Sequence, residues 1–171
     1  MMWQKQIQAV LQHIIKSTGS AFNFVRPLHV EIETNGTKPI SDEFAEFIKD
    51  NDSIMLTFNI SPKMWNVAGE PDERAWKPEV VARYVNLELV AANLKIVANE
   101  TDACWEEIGR KMKELMPMLA YVPKIMIMPV GSTKALQEQD VIPRIIERAL
   151  KEGYNITGRL HLHMMGDGPG I

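Results

Sequence analysis

Hydrophobic and polar positions along the chain switch between a helical spacing of about 3.6 and a strand spacing of about 2, and each switch marks a new element. Residues 4–15 place Ile7, Val10, Leu11, Ile14 and Ile15 on one stripe and predict a helix that stops near Ser17-Thr18-Gly19-Ser20. Residues 28–33 alternate apolar with polar (Leu-His-Val-Glu-Ile-Glu) and predict a strand ended by Asn35-Gly36. Ser41, Asp42 and Glu43 open a short helix, a hydroxyl capping its free amides and two acids favouring its positive end, with Phe44, Phe47 and Ile48 as the buried stripe. Residues 53–60 are apolar on both sides, as expected of a central strand covered by helices on one face and packed inside on the other. An irregular stretch follows from 61 to 77 with Pro62, Gly69 and Pro71, a length that commonly carries function.

The alternation then repeats. Pro78 is tolerated in a helical first turn, and Val80, Val81 and Tyr84 continue that helix. Residues 92–98 predict a strand, Thr101-Asp102 caps a helix carrying Trp105, Ile108, Met112, Leu115 and Met116, and residues 124–128 predict a strand ended by Pro129. Residues 140–151 predict a helix with Pro143 in its first turn and Gly153 as a left-handed C-terminal stop, and residues 156–163 a closing strand before a glycine-rich tail. Helix and strand in alternation predict an α/β fold, a parallel sheet with crossover helices in one domain over residues 1–171. Periodicity leaves both an open sheet and an incomplete barrel available, since five strands are fewer than the eight that close a (β/α) barrel. In either case ligands bind at the C-terminal strand ends: residues 33–35, 61–63, those after Ala98, 128–131 and 160–163.

Composition narrows the function classes. With 46% hydrophobic and 24% charged residues in 171, the chain is an ordinary globular domain rather than a disordered one. A formal net charge of -3 removes the electrostatic basis for general nucleic-acid binding. No apolar run approaches the roughly 20 residues that span a bilayer, and no signal-peptide pattern opens the chain, so a cytoplasmic location without membrane attachment is expected. The single cysteine, Cys104, can form no internal disulfide and cannot by itself hold zinc or an iron–sulfur cluster.

Several residues need individual placement. Glu106-Glu107 with Arg110-Lys111 has the spacing of a solvated helix face laced with ion pairs. Met112 and Met116 on a helix, and Met126 and Met128 in a strand, are assigned to the core, while Met164 and Met165 stand apart beside the tail. Lys95, in an otherwise apolar strand, points into a polar interior or snorkels outward, and the interior is preferred. His161 and His163 share one strand face at a spacing that can chelate, but no third ligand stands nearby and no metal site is assigned.

The strand ends are where chemistry concentrates. Glu33-Thr34-Asn35-Gly36-Thr37 supplies a carboxylate, two hydroxyls and an amide, and Ser61-Pro62-Lys63 a hydroxyl and an ammonium, together a pocket for a zwitterionic ligand. In chain order these segments are joined by Gly69-Glu70-Pro71, Leu94-Lys95-Ile96-Val97, Met128-Pro129-Val130-Gly131, and Arg159-Leu160-His161 followed by Gly166-Asp167. The series resembles the C-terminal part of 7-carboxy-7-deazaguanine synthase, a radical SAM enzyme family, over almost the whole chain.

That resemblance implies the C-terminal portion of a (β/α) radical SAM barrel. In the family, a reduced 4Fe-4S cluster cleaves S-adenosyl-L-methionine to a deoxyadenosyl radical. The radical takes a hydrogen from 6-carboxy-5,6,7,8-tetrahydropterin, which contracts to the deazaguanine with help from magnesium (Mg2+) and loss of ammonia. Carried over by position, Ser61, Pro62, Lys63, Asn35, Met128, Pro129 and Gly131 would face S-adenosyl-L-methionine. Glu33, Thr34, His163 and the terminal Ile171 would lie on the substrate side, and no catalytic residue is assigned. Family members open with a three-cysteine cluster loop followed by a Gly-Gly-Glu-Pro strand end, and neither occurs here. The expectation is therefore that cluster and Mg2+ come with an N-terminal half chain or upstream segment. Strand 28–34, an exposed edge, would pair with it or with a second copy. The alternative is a non-catalytic module that keeps an S-adenosyl-L-methionine or deazapurine pocket, or an inactive remnant.

Overall fold

In a computed structural model, described over residues 2–17, 28–51, 54–131, 133–137 and 139–158, one or more helices separate each strand from the next. Helix α1 (Met2–Ser17) is followed by β1 (Leu28–Thr34), α2 (Asp42–Lys49) and β2 (Ile54–Ile60). Two short helices, α3 (Trp65–Ala68) and α4 (Asp72–Ala75), lead to α5 (Pro78–Val85), β3 (Val90–Ala98) and α6 (Asp102–Leu115). After a 3-10 turn at Met116–Met118 come β4 (Lys124–Pro129), α7 (Lys134–Gln137), α8 (Val141–Lys151) and β5 (Asn155–Ile156). The strands form one parallel sheet in the order β1-β2-β3-β4-β5. The fold is α/β.

Local chemistry sets the element ends. Ser41 Oγ accepts the Phe44 amide at 3.2 Å and Thr101 Oγ1 the Cys104 amide at 3.3 Å, each satisfying a first-turn donor that the helix cannot. Pro78 begins α5, and Gly153, at φ 82, turns the chain out of α8.

A strand order that follows the sequence, combined with right-handed crossovers, sends every connecting helix to the same side of the sheet. The core shows this sidedness. Ile32 of β1, Leu56, Phe58 and Ile60 of β2, Leu94 and Ile96 of β3, and Ile125 and Ile127 of β4 share it with Phe44, Val81, Tyr84, Ile108 and Ile145 from the helices. Residues of the opposite parity stay out of that core: Glu31, Glu33, Met55, Thr57, Asn59, Asn93, Lys95, Lys124 and Met126 lie on the other face. That face is polar.

Several expectations change as a result. Strand β2 is packed on one face only, and Met55, on the other, is 50% exposed. Met126 and Met128 lie on the polar face, where their register partners are Lys95 and Val97; Met126 is only partly buried, whereas Met128 is buried as expected but outside the helix-side cluster. Strand β3 begins two residues before the expected start, at Val90, and the 61–77 stretch contains α3 and α4. Glu107 and Lys111 are buried, at 6% and 0% exposure, because that stretch folds back over α6 and covers the face read as solvated. Of the expected last strand, Ile156 is in β5 and residues 159–163 lie outside the described residues. No helix among the described residues is long and apolar enough to cross a membrane.

The two faces should respond differently to substitution. Phe58, fully buried and edge-on to the Tyr84 ring at 4.8 Å, should lose about 3–5 kcal/mol on Phe58→Ala, whereas Met55→Thr on the other face should stay within about 0.5 kcal/mol, measured by urea unfolding.

Candidate functional site

At the C-terminal edge of the polar face the strand ends surround a cleft of about 510 Å³, lined by Glu33, Thr34, Asn35, Ser61, Lys63, Lys95, Val97, Met128 and Gly158. Two ammoniums face one carboxylate across a floor made by Val97 and Met128. Lys95 reaches across β2 to pair with Glu33 of β1 at 2.7 Å, its side chain 20% exposed. Lys95 thus stands on the polar sheet face, partly buried and paired with a largely exposed carboxylate. Below this pair, Asn93 Nδ2 donates to Asn59 Oδ1 and Asn59 Nδ2 to Glu31 Oε2, both at 2.9 Å, a polar chain across three strands. Lys63 has no ion-pair partner among the described residues, so its charge is the one available to an incoming anion.

The loop after β1 is held from the helix side. Buried Gln4 donates to the Pro39 carbonyl at 3.0 Å and accepts the Ser41 amide at 2.8 Å, and the Tyr84 hydroxyl donates to the Lys38 carbonyl at 2.9 Å. Asn35 Oδ1 accepts from the Thr37 amide and hydroxyl, closing a local turn. Gly36 sits at φ 70, and a Cβ there would meet Ile60 Cγ2 and Val81 Cγ2 at 3.0 Å, so both backbone angle and space call for glycine.

The loop after β2 is held by α6. Glu107 accepts the Trp65 amide at 2.7 Å and the Asn66 amide at 2.9 Å, while Lys111 Nζ lies 2.7 Å from Glu107, 2.8 Å from Asp72 and 3.4 Å from the Lys63 carbonyl. Arg110 binds the outer oxygen of Asp72 at 2.7 Å, and Trp76 Nε1 donates to Glu114 at 2.7 Å. Burial pushes the Glu107 carboxyl up, but the Lys111 ammonium and the N–H groups of Asn66 and Trp65 outweigh it and hold the group below the usual carboxylate range. Asp72 behaves alike: burial raises it, and Lys111 with Arg110 brings it below its ordinary value.

Of the expected site residues, the cleft brings together Glu33, Thr34, Asn35, Ser61, Lys63 and Met128. Pro62 and Gly131 line an adjoining, more apolar cavity of about 270 Å³ that shares Lys63 and Val97 with the first. Pro129 is buried on the core side of β4, the side of Ile127, and so faces away from the cleft. His163 and Ile171, as well as His161, Met164 and Met165, lie outside the described residues. The residues missed in the sequence are Glu107 and Lys111, whose spacing is identical in a solvated pair and a buried one.

Fold and site define a class, a parallel α/β sheet wound in one direction with its helices on one face and a polar cleft at the C-terminal strand ends of the other. The chain matches no family model, no curated protein and no solved structure.

The groups implied by the resemblance fit unequally. The hydroxyl of Ser61, the free ammonium of Lys63 and the carboxylate of Glu33 suit the amino-acid end of S-adenosyl-L-methionine. The cluster does not fit these residues. Cys104 is the chain's one cysteine, is fully buried in α6 among core residues, and has its thiol pushed up by burial, the reverse of a ligating thiolate. Among the described residues no group of three His, Cys, Asp or Glu side chains converges on a metal position.

The depressed carboxyls make stability depend on pH with a definite sign. A carboxyl whose folded pKa lies below its unfolded value stabilises the fold above the unfolded pKa, and that contribution disappears as pH falls through the folded pKa. Stability should therefore drop below about pH 4 in the wild type, and Glu107→Gln should flatten that acid limb while lowering stability at neutral pH, as followed by urea midpoints against pH.

Proposed function

We propose that this chain forms the S-adenosyl-L-methionine- and substrate-facing wall of a radical SAM enzyme resembling 7-carboxy-7-deazaguanine synthase. In this proposal the sheet is the C-terminal portion of a (β/α) barrel, and a cysteine-bearing N-terminal chain or segment supplies the 4Fe-4S cluster. The observation that carries it is the convergence of Glu33-Thr34-Asn35, Ser61, Lys63 and Met128, from three separate strand ends, on one cleft. Lys63 and Ser61 would hold the ligand's carboxylate, the Glu33 carboxylate would face its amine, and Val97 with Met128 would lie against its apolar part. The carboxy-tetrahydropterin would enter from the polar face, past the Asn59–Asn93 chain, whose amides can pair with a heterocycle edge.

Two features support a partner. The polar face carries no part of the hydrophobic core, and β1 is a sheet edge that pairs with β2 alone among the described residues. The burial of Cys104 favours a second function for the chain by itself, a non-catalytic module that binds S-adenosyl-L-methionine or a deazapurine in the same cleft.

Two measurements together decide between these. Titrating S-adenosyl-L-methionine into isotope-labelled protein should move the amide signals of Asn35, Ser61 and Lys63, with a Kd of order 1 mM for a single cleft wall, and Lys63→Ala should abolish the shifts. Co-expression with the cluster-bearing N-terminal part of a family member, followed by anaerobic reconstitution, should yield the deazaguanine product from carboxy-tetrahydropterin, read by mass spectrometry. Shifts without product would leave the binding module, and no shifts at these residues would overturn both.

A further inference from the structure

We infer that Lys111 is a positioning residue for the cleft, its buried ammonium holding the loop that carries Ser61 and Lys63 in the geometry that ligand binding requires. The inference rests on the proposed function only for its choice of ligand. The Lys111 side chain is fully buried; its ammonium forms ion pairs with Glu107 at 2.7 Å and Asp72 at 2.8 Å, the Asp72 oxygen holding it by charge without a hydrogen bond, and donates to the Lys63 carbonyl at 3.4 Å. Two of these belong to the loop, and one is the backbone of the residue whose side chain lines the cleft. The third, Glu107, grips the same loop through the Trp65 and Asn66 amides.

What yields when the charge is removed follows from the packing. Helix α6 is anchored by Cys104, Ile108 and Leu115, each fully buried in the core, whereas the loop is pinned to the core at Met64 while its Lys63, Trp65 and Asn66 are exposed. Without the cation, the carboxylates of Glu107 and Asp72 face one another, so the exposed backbone at Lys63, Trp65 and Asn66 shifts about the buried Met64 while helix and sheet stay. Arg110 cannot take over, because its guanidinium, 57% exposed, holds Asp72 from the solvent side. The charged groups around Glu107 are Lys111, Arg110 and Glu106 on its own helix and Asp72 and Glu73 on α4. Lys111 is the one cation bonded to it.

The test compares the full-length wild type with Lys111→Met, Glu107→Gln and the double variant. In Lys111→Met, amide exchange at Trp65 and Asn66 should rise about tenfold or more and the Lys63 amide signal should move, while Phe58, Leu94 and Ile127 keep their protection. Affinity for S-adenosyl-L-methionine should fall at least about fivefold. The Trp65 and Asn66 amide signals of the wild type should follow a titration at acid pH that Glu107→Gln removes and that Lys111→Met moves to higher pH, a shift that a merely space-filling Lys111 would not produce. If Lys111→Met does not fold, the double variant, free of an uncompensated charge at 107, should keep the sheet protected and still shift Lys63. Unchanged loop amides, equal loss of protection across the sheet in both variants, or a freed loop with unaltered affinity would each overturn the inference. If the wild type does not bind S-adenosyl-L-methionine but the loop amides and the acid titration respond as described, the ligand assignment fails and the positioning role stands.

Discussion

The buried ammonium of Lys111 is the contact on which the upper edge of this molecule depends. It joins α6, a helix built into the core through Ile108 and Leu115, to a loop that the core holds at Met64 and Trp76 but whose cleft-lining Lys63 is exposed. A buried lysine is costly unless it is paired, and here the ammonium lies within 2.8 Å of two carboxylates and donates to the Lys63 carbonyl, while the Trp76 ring lies 5.5 Å from the charge. The arrangement specifies the loop's position more than it adds stability, since a pair of this kind roughly balances its own desolvation. Gln4 and Tyr84 serve the preceding loop in the same way, through neutral hydrogen bonds. Both walls of the cleft are thus suspended from the helix layer.

The second organising fact is the division of labour between the faces of the sheet. One winding direction places all the apolar burial on the helix side, which frees the other side for Glu31, Asn59, Asn93, Glu33 and Lys95. Charge is ordered along that face, acids on β1 and lysines on β3 and β4, with amides between them. The Glu33–Lys95 pair offsets one charge of each sign in the cleft and leaves the Lys63 ammonium without an ion-pair partner among the described residues.

This chemistry and the proposed radical enzyme meet at one point of tension, which is Cys104. A cluster needs several exposed thiolates, and this chain contributes one buried thiol, so the proposal places the cluster on another chain or segment. The cleft itself is indifferent to that question: its lining comes from the ends of β1, β2, β3 and β4 and stands in place with or without the radical chemistry.

Much of the fold was legible in the residues because helix and strand periods, caps and stops act over a few positions. Ser41, Thr101, Pro78 and Gly153 perform the local roles their types predict, and the strand-end residues 33–35, Ser61 and Lys63 do reach one cleft. The parity of Met126 and Met128 and the burial of Glu107 and Lys111 could not be read the same way. Periodicity reports which residues share a face but not what that face will meet, and the cover over Lys111 arrives from Lys63, 48 residues earlier in the chain. The sequence by itself determined the alternation, the α/β class and the chemical character of the strand ends, all of which rest on short-range backbone and side-chain preferences. Only the tertiary structure decided which sheet face is polar, which charges are buried and where Lys63 stands, because those depend on crossover handedness and on contacts between distant segments.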